Sequence, residues 1–205
     1  MTELLSGYES SAQKLLFRVY ASEIPENGKR QKHRDAHFAA LDLLGAALAE
    51  DFGIHHAVIH RAGLGKPKLL HENLYMNLSH CKGFAVAAVG SVPLGVDAET
   101  PRTVRAALMQ KVCAEEELRQ ITAAAEPERE FARFWTLKEA YAKYTGEGIR
   151  LDFSALRFSF AEDGRILFHH PDAGAVGFWQ STEIPGCTVS LCFRRGDDII
   201  LKVNT

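Results

Sequence analysis

The sequence predicts an α+β protein: two similar lobes in one chain, each a small, mainly antiparallel sheet packed on helices. Three observations lead there. Residues 35–53, DAHFAALDLLGAALAEDFG, carry apolar side chains at helical spacing, and short β runs follow over 75–99. Residues 103–144 are again helical in texture, and short β runs again follow beyond Gly148. There is no repeat by identity, yet each half offers a helix and several short strands. The 205 residues therefore divide into an N-terminal lobe, 1–95, and a C-terminal lobe, 96–205. The cleft between them is the default ligand site.

Element by element, the chain opens with a strand around Leu15–Tyr20, followed by a basic loop, PENGKRQKHR. Asp35 is the expected N-cap of the first helix, Phe38, Leu41, Leu44 and Leu48 its apolar face, and Gly53 its stop. HAVIH reads as a short strand, and RAGLGKPKLL as a turn punctuated by Gly63, Gly65 and Pro67. LYMNLSHCKGFAVAAVGSVPLGVDAET reads as strand, turn, strand, turn, strand. Its apolar Phe84–Val89 is expected to be central in a sheet, with GSVP as a hairpin. Residues 103–124, rich in Ala, Leu, Glu and Gln, read as one helical stretch broken by AEPERE. A further helix is expected from Glu128 to Tyr144. Ser154–Phe160, Ile166–His169, Gly174–Gln180, Thr188–Phe193 and Ile199–Val203 then read as strands of a meandering antiparallel sheet.

Bulk properties narrow the function. The composition is that of an ordinary globular protein, 46% hydrophobic and 24% charged. A net charge of −2 gives no electrostatic case for nucleic acid as a partner. No apolar run approaches the ~20 residues that cross a membrane. MTELLSGYES has no basic region leading into an apolar core, so a cytoplasmic protein is expected. Cys81, Cys113, Cys187 and Cys192 have no C-x-x-C spacing and read as reduced packing thiols. Cys187 and Cys192, in the strand-like CTVSLC, should point to opposite faces.

Several charged positions carry possible chemistry. Asp97 and Glu99 are two apart at a strand end and so share a face; they are either a solvated strand end or hard oxygen ligands suited to Mg²⁺. Lys66, between a glycine and a proline, is either a basic turn or a point charge for a phosphate. In NLSH, Ser79 and His80 point opposite ways along a strand, which argues against a nucleophile–base pair. Asn77, Ser79 and His80 fit better as donors aimed at a ligand phosphate. The pairs His55–His56 and His169–His170 lack the convergence zinc needs. On the helix, Glu139 and Lys143 are i and i+4 and share a stripe, with Lys138 about 100° round. An exposed pair of that kind adds only about 0.3–0.5 kcal/mol, so a carboxylate that takes a proton beside phosphate-binding lysines is the sharper reading.

GKPKL, NLSH, GVDAE and WTLKEAYAKYTGEG, in this order and with these gaps, resemble the 4′-phosphopantetheinyl transferases, specifically the longer surfactin-synthetase-activator type. The resemblance covers residues 60–150 and, more loosely, the basic GKRQKHRDAH upstream. It implies one chain of two lobes related by a pseudo-twofold axis, acting as a monomer. The implied reaction moves 4′-phosphopantetheine from coenzyme A to a serine of an apo acyl or peptidyl carrier protein, releasing adenosine 3′,5′-bisphosphate. By motif position, Asp97 and Glu99 would hold Mg²⁺ or Mn²⁺, with Glu116, flanked by Glu115 and Glu117, as the third ligand. Glu139 would be the general base, and Lys138 and Lys143 would bind phosphate. Lys66, Ser79 and His80 would contact coenzyme A, and Arg30 and Lys29 its 3′-phosphate. On this reading the N-terminal lobe brings coenzyme A contacts and the C-terminal lobe the metal ligands and catalytic helix. Two departures stand out: Ala98 replaces a larger apolar residue between the two acids, and VC precedes the acidic triplet where an aromatic is commoner. The alternatives are a catalytically silent module that binds coenzyme A and a carrier protein, and an Mg²⁺-dependent phosphohydrolase.

Overall fold

A computed structural model describes residues 3–9, 15–24, 32–61, 63 and 65–195. In chain order the elements are β1 (Glu3–Glu9), β2 (Leu15–Glu23), α1 (Lys32–Phe52), β3 (Ile59–His60), β4 (Lys68–Leu69), β5 (Tyr75–Cys81), β6 (Phe84–Gly90), β7 (Leu94–Glu99), α2 (Ala106–Val112), α3 (Glu115–Ala123), α4 (Pro127–Thr145), β8 (Arg157–Phe160), β9 (Ile166–His169), β10 (Val176–Ser181) and β11 (Thr188–Arg194). Two larger sheets form, ordered β1-β2-β6-β5 and β10-β11-β7, with β3-β4 and β8-β9 as separate hairpins.

The two halves share one connectivity. Strand, helix, short hairpin, strand and strand run as β2, α1, β3–β4, β5, β6, and again as β7, α4, β8–β9, β10, β11. In both, the last strand pairs with the other two and becomes the middle one, β2-β6-β5 and β7-β11-β10. Among the described residues, the helix pair α2–α3 is inserted only in the second half, and β1 extends only the first.

Strand alternation builds the layers. Val19 and Ala21 on β2, Val86 and Ala88 on β6, Val96 and Ala98 on β7, and Val189 and Leu191 on β11 form one apolar cluster between the two sheets. The opposite face of the first sheet, with Ala85, Ala87 and Val89, packs on Leu43, Leu44 and Leu48 of α1. The opposite face of the second carries Cys192 onto Phe134, Leu137 and Tyr141 of α4. The order is helix, sheet, sheet, helix. Phe17 and Phe193 meet across the sheet interface with ring centroids 4.9 Å apart, both fully buried. Phe193→Ala is expected to destabilise the protein by about 3–5 kcal/mol through the lost transfer energy and the cavity left behind, measured as a shift in urea unfolding.

Several elements differ from the sequence expectations. Asp35 does not cap α1, which starts at Lys32. Phe38 is 52% exposed, because the buried stripe runs through Ala36, Ala40, Leu43, Leu44, Ala47 and Leu48, and a residue two positions on from Ala36 lies about 200° round. GSVP is not a hairpin. β6 is already paired on both edges, with β2 and β5, so the chain crosses to a new sheet and β7 pairs with β11, Asp97 opposite Ser190. The 103–124 stretch is two helices, broken at Cys113–Ala114, where Ala114 is extended and its N–H donates to the Glu117 side chain at 2.8 Å. The C-terminal strands do not form one meander, since β8–β9 and β10–β11 belong to different sheets. Ile199–Val203 lies outside the described residues. No helix among the described residues is long and apolar enough to cross a membrane.

Candidate active site

The site begins with the alternation of β7. Leu94, Val96 and Ala98 enter the core between the sheets, which turns Gly95, Asp97 and Glu99 toward α4. Gly95 sets the approach. A Cβ at this position would lie only 2.3 Å from the Tyr144 backbone N and 2.4 Å from the Ala140 carbonyl O. The helix backbone therefore rests directly on the strand, and its Glu139–Lys143 stripe comes over the two acids. Lys143 Nζ donates to Asp97 Oδ1 at 2.7 Å and to Ser79 Oγ at 2.9 Å, and the Ser79 hydroxyl donates to the same Asp97 oxygen at 3.0 Å. Asp97 is 7% exposed, while Glu99, Glu139 and Lys143 are half-buried. Arg102 reaches Glu99 at 3.6 Å from the solvent side.

The same helix is tied down from below. The hydroxyls of Thr136 and Ser190 are 2.7 Å apart, and Gln180 bridges Ser190 to the backbone and guanidinium of Arg133. At the far end, Gly146 adopts the left-handed conformation (φ 79°) that closes α4 one turn beyond Lys143.

Burial dominates the electrostatics of the site. Burial first, and then the nearby Asp97 carboxylate, raise Glu139 to about 7, with Lys143 opposing and Glu99 adding a smaller push. Glu99 is raised too, mainly by burial, with Arg102 opposing. Lys66 is lowered to about 8, chiefly by burial, and the positive charge of Lys143 contributes.

The structure brings some of the expected site residues together and separates others. Asp97, Glu99, Glu139 and Lys143 share one neighbourhood. Lys138 does not reach it. Its side chain is 0% exposed, and its Nζ sits 2.6 Å from Glu117 Oε2, 2.8 Å from the Val112 carbonyl and 2.9 Å from the Phe153 carbonyl. The 100° step from Glu139 turns it into the junction of α2, α3 and α4, so it is an internal ion pair and not a phosphate ligand. Glu116 is not beside the acids either: it is 67% exposed and 3.6 Å from Arg119. Glu115 pairs with the same arginine, and Glu117 is spent on Lys138 and the backbone N–H groups of Ala114 and Phe158. The break at Cys113–Ala114 sets these orientations.

Asn77, Ser79 and Lys66 act first on the strand. β7 is the edge of its sheet, and this edge is capped by side chains from the first half. Asn77 Oδ1 accepts from the Val96 N–H at 2.8 Å, Ser79 Oγ accepts from the Ala98 N–H at 3.2 Å, and Lys66 Nζ donates to the Leu94 carbonyl. Asn77 and Ser79 thus join the halves, where phosphate contacts were expected. His80 is on the opposite face of β5, its ring 6.5 Å from that of His37 on α1. Lys29 and Arg30 lie outside the described residues. Gly95 and Thr136 were not singled out from the sequence. A glycine inside a strand pattern marks close backbone approach, and that signal was available for Gly95.

Among the described residues no three side chains of the metal-ligating types form a ready-made metal centre. The donor chemistry nevertheless fits a hard divalent cation. Two carboxylates lie on one strand face and a third on the facing helix; burial and the neighbouring carboxylates raise the proton affinity of Glu99 and Glu139, and a cation among them would remove that penalty.

Residues 93–192 match the family model described as the 4′-phosphopantetheinyl transferase superfamily. The chain is 26% identical over 191 residues to the 4′-phosphopantetheinyl transferase ffp of Bacillus subtilis, covering 89% of this chain and 85% of the relative. It is 28% identical over 142 residues to the 4′-phosphopantetheinyl transferase psf-1 of Bacillus pumilus, covering 67% of this chain and 61% of that one. A crystal structure of holo-[acyl-carrier-protein] synthase from Neisseria meningitidis aligns with a TM-score of 0.44 at 20% identity, over 51% of this chain and 98% of the other. The chain is therefore similar to 4′-phosphopantetheinyl transferases, over just under half of its length by the family model and over most of it by the first of these relatives.

Proposed function

We propose that this chain transfers 4′-phosphopantetheine from coenzyme A to a serine hydroxyl of an apo acyl or peptidyl carrier protein, with Glu139 as the base. The observation that carries this reading is the meeting of β7 and α4 at Gly95, which sets Asp97, Glu99, Glu139 and Lys143 around one point. The serine oxygen attacks the β-phosphorus of the pyrophosphate and the P–O bond to the nucleotide breaks. Adenosine 3′,5′-bisphosphate leaves, and the serine proton passes to Glu139. A base near neutral serves this step best. Asp97 and Glu99 would hold Mg²⁺, or Mn²⁺ in its place, which supplies neutralising charge to the pyrophosphate. Lys143, already directed at Asp97, and Lys66, bonded to the Leu94 carbonyl at the start of β7, offer ammonium groups to phosphate oxygens. A silent module would lack one of Asp97, Glu99, Glu139 and Lys143, and all four meet here. Both lobes lie in one chain, and we take the monomer as the working unit.

The test combines the protein with coenzyme A, Mg²⁺ and an apo carrier protein, and weighs the carrier. A gain equal to the phosphopantetheine arm supports the reading. No gain, with coenzyme A bound, leaves the silent module. Phosphate released without a carrier points to a hydrolase.

The raised proton affinity of Glu139 adds an expectation for the protein alone. Its folded pKa, about 7, lies above the ordinary Glu value of about 4.3. Near pH 4 and below, this group costs the fold nothing, and its destabilising contribution grows as pH rises toward 7. A divalent cation favours the ionised form, so Mg²⁺ titrated at pH 6 should release protons and at pH 8.5 almost none. Calorimetry in buffers of different ionisation enthalpy measures this, and Glu139→Gln should remove most of the release at pH 6, leaving what Glu99 contributes.

A further inference from the structure

We propose that Cys81 and Cys187 are a redox-sensitive pair that closes to a disulfide between the two sheets when the protein meets hydrogen peroxide. Cys81 ends β5 of the first sheet, and Cys187 immediately precedes β11 of the second. Their sulfurs are 3.7 Å apart, although 106 positions separate them in sequence. Disulfide bonding requires about 2.05 Å, a closure within reach of side-chain rotation. Both belong to the rim of the apolar layer between the sheets. Cys81 is half-buried, and Cys187 borders a cavity of about 390 Å³ together with Pro101, Gly186 and Thr188.

The surroundings assign the roles. The Cys187 thiol hydrogen-bonds to Cys81, and the Thr100 hydroxyl lies 3.4 Å from the Cys81 sulfur. Both contacts hold the Cys81 thiol below its ordinary range, with the Cys187 bond the larger cause, whereas Cys187 is pushed up. Cys81 is therefore the attacking thiolate. Cys113 and Cys192 are buried with raised pKa values and make natural controls.

In the first step the Cys81 thiolate attacks a peroxide oxygen. The O–O bond breaks, a sulfenic acid forms, and the released hydroxide takes a proton to become water. In the second step the Cys187 sulfur attacks the Cys81 sulfur. The S–S bond forms, the S–O bond breaks, and a second water leaves with the Cys187 proton. Two thiols and one hydrogen peroxide give one disulfide and two waters. The bond ties the halves together beside Thr100, one residue beyond Glu99, and closes a loop spanning most of the C-terminal half, the kind of cross-link that most restricts the unfolded chain.

The full-length protein is treated with a stoichiometric amount of hydrogen peroxide, alkylated and mapped without reduction. The expected product is a single cross-linked peptide pair joining Cys81 to Cys187. Its Tm should rise by roughly 5–15 °C, and dithiothreitol should reverse the rise. Cys81→Ser and Cys187→Ser should each abolish link and rise, while Cys113→Ala should leave both. Should a serine variant fail to fold, alkylating Cys81 in the wild-type protein before peroxide gives the same comparison. Cys81 carried on to sulfinic acid without a cross-link, a link to Cys113 or Cys192, or an 81–187 link with unchanged or lower Tm would each overturn the proposal.

Discussion

A Lys138→Ala variant is expected to lose about 3–5 kcal/mol of stability, a large share of the ~5–15 kcal/mol that holds a typical domain folded. The ammonium is fully buried, and burial lowers its pKa, with Glu117 opposing the shift. Its three contacts, to Glu117, Val112 and Phe153, join the end of α2, the start of α3 and the segment after α4. Removing it strands the Glu117 carboxylate in the core without a counter-charge, and two carbonyls lose their donor. The double variant Lys138→Met with Glu117→Gln should recover part of the loss, because a neutral amide leaves no unpaired charge in the core, although its single carbonyl oxygen keeps only one of the two N–H groups, of Ala114 and Phe158, that now bond to different carboxylate oxygens. Urea unfolding of the two singles and the double measures the coupling. Equal losses in Lys138→Ala and in the double variant would show that the ion pair is not the source.

Glu139→Gln should behave in the opposite way. We expect kcat to fall by 10²-fold or more, in line with the ~2.7–4 kcal/mol lost when one electrostatic contact to a reacting centre is removed. Stability at pH 8 should stay level or improve. The wild-type side chain is ionised there against burial and two neighbouring carboxylates, and the amide removes that penalty while keeping the shape. A variant that is well folded, at least as stable as wild type, and nearly inactive separates chemistry from architecture. Near-normal turnover of an apo carrier by Glu139→Gln would remove Glu139 from the role of base.

These two residues are neighbours in sequence and show where sequence reasoning stops. The 3.6-residue period placed Glu139 and Lys143 on one stripe, and the period of two placed Asp97 and Glu99 on one face; both hold because they depend only on local geometry. That Lys138 enters the core depends on Glu117, whose orientation follows from the helix break at Cys113–Ala114 just before it. A lysine on an amphipathic helix is read as solvated unless its partner is known. Glu115, Glu116 and Glu117 pose a similar problem: motif position points to Glu116, but three adjacent acids are indistinguishable in sequence until the break fixes which one points inward. GSVP was read as a hairpin because a turn between two apolar strands looks the same whether the strands pair or part. Only the occupied edges of β6 decide the matter, and they are set by β2, more than sixty residues earlier. Ser79 and Asn77 looked like ligand donors because polar residues in an apolar strand call for partners. The partners turned out to be the backbone of β7.

That arrangement bears on solubility. A strand at the border of a sheet, with unsatisfied N–H and C=O groups, is a template for another chain to add to, and proteins commonly guard such borders with charge, proline or distortion. Here Asn77 and Ser79 occupy the Val96 and Ala98 donors from within the same molecule, and Lys66 takes the Leu94 carbonyl. The strand that carries the acidic pair is thereby withheld from intermolecular pairing, and the safeguard against aggregation is built from the same side chains that fasten one half of the protein to the other.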